Sequence, residues 1–233
     1  MTTFALLHGG MHRGWSWNLV ARELVAHHHT VVAPELPVDD DSAGARDWAK
    51  IALDAIDQVV GVDDGDVVAV AHSMTGLVLP IVAQGRPIRR MVFVAGLIPR
   101  PGRSLLDILA ENPDAVLFPM RSGEGAGPFD LKWEDVRDAF YHDCPEVLAR
   151  RAFSDLRHQS FTVLVEPCPL DHWPAVPASS IVACDDRLVN PEWSRRQARE
   201  LLKADVIEID GSHSPFFSRP TELAQLLMTL AGP

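Results

Sequence analysis

Six short apolar runs punctuate the chain, at 4–8, 30–33, 67–71, 91–95, 180–184 and 206–209. Each has the length of a strand and is apolar at consecutive rather than alternate positions, the mark of a strand covered on both faces. Between most of them lie segments with apolar residues at helical spacing, at 15–26, 45–60, 74–84 and 191–204, and a last one follows at 221–230. Pro191 followed by Glu192, and Thr221 with Glu222 after Pro220, are helix-start signals, because proline suits the first turn and an acid there faces the positive end of the helix dipole. Buried strands alternating with amphipathic helices predict a doubly wound α/β fold, built on a mostly parallel six-stranded sheet and connected by right-handed crossovers.

The alternation fails once. Between Gly96 and about Pro177 no parallel-strand rhythm is visible, only helical patterns at 132–141 and 145–156 and a glycine-rich stretch at 121–128. The expected organisation is therefore a core from 1–96 and 178–233 with a helical lid, or cap, inserted at 97–177. The insertion leaves a strand at Ala95 and returns at Ser180, both expected at one edge of the carboxyl end of the sheet, so it is expected to lie over that end. The alternatives are an independent small domain or a disordered loop. Its apolar and aromatic residues Leu97, Phe118, Met120, Phe140, Phe153, Phe161 and Trp173 could supply a pocket wall.

Composition narrows the function classes. A chain of 233 residues, 47% hydrophobic and 23% charged, can bury one sizeable core and has no disordered signature. The formal net charge of −11 argues against nucleic acid and anionic lipid, which need clustered Lys and Arg. No export signal and no apolar run of about 20 residues is present, so no membrane anchor is expected. Three widely spaced cysteines, Cys144, Cys168 and Cys184, suit reduced thiols in a cytoplasmic protein better than a disulfide framework. His27-His28-His29 lacks a second ligand group at metal-site spacing and reads as a solvated loop.

The chemistry collects where strands end. Ser73 follows the 67–71 strand at the start of a helix pattern, where a serine nucleophile would be displayed and where serine would equally serve as a helix N-cap. Such a nucleophile needs a base and an acid to orient the base. His213, in a Gly-Ser-His-Ser-Pro loop after the last strand, is the expected base; His72 adjoins Ser73 but should point to the other face of its strand. Asp185 and Asp186 follow the fifth strand, and only one of them can face His213. The order serine, aspartate, histidine matches that of α/β-hydrolases. The Met74 N–H, next after the nucleophile, would supply one oxyanion donor.

Four segments carry a fuller resemblance: 8–17 (His-Gly-Gly-Met-His-Arg-Gly-Trp-Ser-Trp), the turn around Ser73, 186–193 (Asp-Arg-Leu-Val-Asn-Pro-Glu-Trp) and Gly211-Ser212-His213. Through them the chain resembles the plant methylesterase and hydroxynitrile lyase group of serine esterases in the α/β-hydrolase superfamily, over nearly its whole length. The resemblance implies Asp186 as the acid, Gly10 N–H as the second oxyanion donor with Gly9 allowing close approach, and Trp15 or its neighbours as a wall of the acyl pocket; Trp17 reads better as core. The turn departs from Gly-x-Ser-x-Gly, with Ala71 and Thr75 at the glycine positions and Gly76 one residue later.

The function expected is hydrolysis of a carboxylic ester or lactone of a hydrophobic small molecule through a Ser-His-Asp triad, with no metal or organic cofactor; a thioester would suit the same machinery. Two other classes share the scaffold. The lyases resemble one another in a lysine after the catalytic histidine and a threonine after the first histidine of the oxyanion segment, where this chain has Ser214 and Gly9. A slow or non-catalytic small-molecule receptor could retain the same triad. Whether the chain acts alone or as a homodimer is open at this point.

Overall fold

The computed structural model describes residues 1–61, 64–117 and 131–232. Six strands, β1 (Thr3–Leu7), β2 (Thr30–Val32), β3 (Val67–His72), β4 (Arg90–Val94), β5 (Ala178–Ala183) and β6 (Asp205–Ile209), form one sheet in the order β2-β1-β3-β4-β5-β6. Every pairing is parallel, so the sheet expected as mostly parallel is wholly so. From β1 the chain winds outward to β2 and then returns to place β3 on the other side of β1. At that reversal the loops leaving β1 and β3 diverge and open a crevice at the carboxyl end of the sheet.

Ten helices are described: α1 (Asn18–Ala26), α2 (Ala45–Asp57), α3 (Leu79–Gly85), α4 (Leu105–Glu111), α5 (Trp133–Phe140), α6 (Glu146–Ser154), α7 (Thr162–Val165), α8 (Pro191–Gln197), α9 (Pro215–Ser218) and α10 (Pro220–Ala231). They pack two cores, one per sheet face. Ala5, Leu7, Val67, Ala69, Ala71, Met91 and Phe93 face α2, α3 and α8. Phe4, Leu6, Val68, Val70, Val92 and Val94 face α1 and α10. Consecutive strand residues are thus all buried because alternate ones serve different cores, which is why the runs read as continuously apolar. Among the described residues no helix is long and apolar enough to cross a membrane.

Several expected helices begin as tighter turns. The 15–26 pattern opens as a 3₁₀ turn, Gly14–Trp17, before α1, and the 74–84 pattern as a 3₁₀ turn, Ser73–Leu77, before α3. Pro80 lies in the first turn of α3, where its missing N–H costs nothing. The 191–204 pattern changes from α8 to a π turn at Ala198–Leu202.

The 97–177 segment supplies α4 to α7. The helical patterns at 132–141 and 145–156 correspond to α5 and α6, whereas α4 falls where no pattern was expected, although Ser104 and Asp107 close it with a reciprocal cap. The glycine-rich stretch at 121–128, with Phe118 and Met120, lies outside the described residues. One expectation needs correction. Because β5 is parallel to β4, a chain leaving the carboxyl end of β4 must reach the opposite end of the sheet before β5 begins, so both insertion ends cannot sit at the active-site edge. Its return path runs past α2: Glu166 accepts from the Ala45 N–H at the helix start, where Gly44 has no side chain to cap it. The helices of the segment are shared between the cores: Ile108, Val163 and Leu164 belong to one and Val136, Phe140 and Ala149 to the other.

The turn after β3 accepts Thr75 in place of glycine because close approach occurs one residue later. Thr75 is fully buried, with its hydroxyl 2.8 Å from the His72 carbonyl and 3.2 Å from that of Leu7. A Cβ on Gly76 would lie 2.2 Å from the Leu97 carbonyl oxygen. Backbone cannot yield as a side chain tip can. Gly76→Ala should therefore lower the stability of the fold by about 1–3 kcal/mol, read as a lower midpoint in urea unfolding; an unchanged midpoint would contradict this packing.

Candidate active site

Ser73 caps the central strand β3 with φ +53°, a left-handed conformation that a non-glycine residue adopts at a cost. Its neighbours fix it there. The Ser73 carbonyl accepts from Leu97 N–H at 2.9 Å, and Ala71 is paired in register with Leu7 on one side and Phe93 on the other. The strain points the serine out of the sheet and starts a helical turn beneath it. Met74, second in that turn, has an N–H too early in the helix to find an intrahelical acceptor.

His213 is fully buried, and its Nδ1–H donates to Asp186 Oδ2 at 2.7 Å. The other carboxylate oxygen of Asp186 accepts from the N–H groups of Leu188 and Val189 at 2.8 and 2.9 Å. Of the two adjacent acids, the structure places Asp186 against the imidazole and leaves Asp185 exposed. With the proton on Nδ1, His213 Nε2 carries a lone pair, and it has no hydrogen-bond partner among the described residues. Ser73 and Phe140 line the same cavity, and the Phe140 ring lies 5.6 Å from that of His213. His213 Nε2 therefore makes no hydrogen bond to Ser73 in this structure.

That cavity, about 140 Å³, is walled by Leu97, Leu105, Leu109, Phe140, Leu164 and Val189 among others, and its floor is Gly10, Met11, Ser73 and Met74. Among the described residues no charged side chain lines it. Of the aromatic and apolar residues expected to face it, Leu97 and Phe140 do; Phe153 packs on Trp133, and Phe161 and Trp173 pack on the core beside α2 and α3. Trp15, expected as a wall, is not among its lining residues. Its ring stacks under the Arg151 guanidinium and its Nε1–H donates to Asp155 at 2.8 Å, so surface polar partners draw it away. Trp17 is a core residue against Phe216.

Gly9 also serves otherwise than expected. A Cβ there would lie 2.4 Å from His72 Nδ1 and 3.2 Å from Ser73 Cβ, so the missing side chain makes room for an imidazole rather than for a ligand. His72 does point to the opposite face from the strand residue before it, yet this brings its ring 4.7 Å from that of His213. Its Nε2–H donates to the His213 carbonyl at 2.8 Å and so holds the loop that carries His213.

Three histidines around the site are kept neutral. Burial drives His8 down to about 3 and His12 to about 4, and burial together with the nearby imidazoles drives His72 well below the usual value. Their hydrogen bonds settle the tautomers. Leu36 N–H donates to His8 Nε2 at 2.9 Å, leaving Nδ1–H to reach the Gly9 carbonyl at 2.9 Å. His12 Nδ1–H donates to the Gly10 carbonyl at 2.8 Å, and Tyr141 donates its hydroxyl proton to Nε2 at 2.7 Å. Sequence reasoning passed over His12, Tyr141 and Gln159; the first lies in the quoted 8–17 segment, whereas nothing local marks the other two. The cysteines offer no rival nucleophile, since burial pushes the Cys144 thiol to about 12 and raises Cys168 and Cys184 as well. His27 and His29 are taken up by the Glu23 carbonyl and the Thr2 N–H.

Comparison with known proteins agrees with this architecture. A family model described as the alpha/beta hydrolase family matches residues 4–226. Methylesterase 7 of Arabidopsis thaliana is 26% identical over 98% of this chain and 95% of its own length. A pyrethroid hydrolase of Sphingobium wenxiniae is 23% identical over 99% of this chain and 88% of its own. Among solved structures, polyneuridine aldehyde esterase matches with a TM-score of 0.79 at 19% identity, covering 99% of both chains. An extracellular alpha/beta-hydrolase from a Paenibacillus species matches with a TM-score of 0.77 at 24% identity, covering 100% of this chain and 99% of its own. With a six-stranded parallel sheet and a family match spanning almost every residue, this chain belongs to the alpha/beta hydrolase family and is related to methylesterases and pyrethroid hydrolases.

Proposed function

We propose that the chain is a serine esterase that cleaves a carboxylic ester or lactone of a hydrophobic small molecule through an acyl-enzyme on Ser73. The observation that carries this reading is the His213–Asp186 pair, with Nε2 unpartnered, beside a strained serine that opens into an apolar cavity. Ser73 Oγ attacks the carbonyl carbon as His213 Nε2 takes its proton, and Asp186 stabilises the imidazolium that forms. The N–H groups of Gly10 and Met74 hold the oxyanion, each contributing roughly 2.7–4 kcal/mol in a site closed to water. His213 returns the proton to the departing alcohol, and water repeats the sequence on the acyl group. The hydrogen bond from Ser73 to His213 Nε2 forms as substrate fills the cavity.

The names of the relatives, methylesterase and pyrethroid hydrolase, support a small ester as substrate, and the uncharged lining supports an apolar acyl or alcohol group. Carbon–carbon lyase chemistry is disfavoured by Gly9 as well as by Ser214: the space a threonine would need at position 9 is filled by His72.

Against a panel of p-nitrophenyl esters, lactones and thioesters, Ser73→Ala should lose about 10⁴-fold or more in kcat. Asp186→Asn should lose a similar factor, because an amide leaves His213 in the wrong tautomer. A Ser73→Ala variant that keeps near-normal turnover on every active substrate retires the mechanism. Wild-type Ser73 captured by a fluorophosphonate without turnover of any ester would point instead to a receptor.

The acid limit of the protein should come from its neutral histidines. Below about pH 6.5 the unfolded chain takes up protons on His8, His12 and His72 that the fold refuses until about pH 4 and below. The unfolded state then binds more protons than the native one, so stability falls as pH falls through that window, by up to about 4 kcal/mol per pH unit for three histidines. Thermal midpoints measured from pH 7 to pH 4.5 should drop steeply; a flat profile would contradict the neutral assignments.

A further inference from the structure

The loop bearing Gly10 is held by its own histidines and also by residues of the inserted segment. Met11 has φ +60°, a left-handed conformation that a methionine adopts only where its surroundings enforce it. The enforcing contacts come from 157–159. Met11 N–H donates to Gln159 Oε1 at 2.9 Å, and the Met11 carbonyl accepts from Arg157 N–H at 2.9 Å. Gln159 is fully buried, and its Nε2 is engaged by the Ser160 carbonyl at 2.8 Å, so the amide cannot turn away.

The peptide unit joining Gly10 to Met11 is therefore gripped at both ends, by Gln159 at its N–H and by His12 Nδ1–H at its carbonyl. Tyr141, also from the inserted segment, fixes the His12 tautomer that makes the second grip possible. The preceding unit is fixed in turn, because the Gly9 carbonyl accepts from His8 Nδ1–H at 2.9 Å and from His12 N–H at 3.3 Å. In a trans peptide the N–H points opposite to the carbonyl. Tying down the Gly9 oxygen thus aims the Gly10 N–H the other way, and Gly10 lines the cavity.

We propose that Gln159 and Tyr141 are positioning residues that hold the Gly10 N–H in its oxyanion-binding direction against the backbone strain at Met11. This rests on the esterase reading above. Neither residue lines the cavity or touches the reacting atoms; each acts through the loop.

An oxyanion donor acts in the transition state and not on bound ester, so its misdirection should appear in kcat and leave KM nearly unchanged. Gln159→Leu, which keeps the bulk and removes the acceptor, should lower kcat about 10- to 100-fold, short of the 10²- to 10³-fold that outright loss of a donor costs. Tyr141→Phe, a milder change, should lower kcat several-fold with the same unchanged KM. Adding Met11→Gly to Gln159→Leu should recover part of the lost kcat, because glycine adopts the left-handed conformation without strain. Fluorophosphonate labelling and ester turnover by the wild type, both abolished by Ser73→Ala, establish the esterase independently. With that established, unchanged kcat in both Gln159→Leu and Tyr141→Phe overturns the positioning role, and so does a loss confined to KM or to thermal stability. If Gln159→Leu does not fold, Tyr141→Phe decides the question by the same kcat and KM comparison.

Discussion

The site depends on the pairing of β1 with β3. Because β2 lies on the far side of β1, the loops leaving β1 and β3 separate at the carboxyl end of adjacent strands, and each is free to present backbone rather than to cross over its neighbour. Phe4, Leu6 and Val68, Val70 on one face, and Ala5, Leu7 and Val67, Ala69 on the other, fix the register of this pair from both cores. A slip of one residue would exchange the two sets and move Ser73 relative to Gly10. The hydrophobic pattern of two short strands thus sets the distance between a hydroxyl and an amide that belong to different parts of the chain.

Much of this was legible because it is written in short-range patterns. Runs such as 67–71 are buried on both faces, and the sheet they form is six-stranded and parallel. Ser73 and the His213–Asp186 pair lie at strand ends, where the alternation of elements already places ligand-facing loops. The choice between Asp185 and Asp186 rested on the resemblance. In the structure Asp186 turns back onto the N–H groups of Leu188 and Val189, which only a residue at that spacing can do.

What escaped the sequence is what depends on partners far along the chain. The resemblance implies Trp15 or its neighbours as a pocket wall, but Asp155 and Arg151, from the end of α6, claim the Trp15 ring. Gln159 and Tyr141 carry no local signature, since their importance comes from the strained Met11 and the His12 tautomer some 130 to 150 positions earlier. Strand alternation sets His72 aside as a base. Alternation says nothing about which loop it meets, and the loop it meets is that of His213. The return of the inserted segment to the amino end of β5 follows from parallel pairing and has no local signature in the segment itself.

The division of the inserted helices between the two cores bears on how substrate preference can change in this scaffold. A segment that rested on the sheet as a separate piece could be traded between relatives like an exchangeable cassette. Here α4 and α7 complete one interior while α5 and α6 complete the other, so a wholesale graft would strip both at once. Single side chains such as Leu105, Leu109 and Val189 line the cavity and pack in a core as well, so remodelling one alters what fits at a cost confined to its own packing.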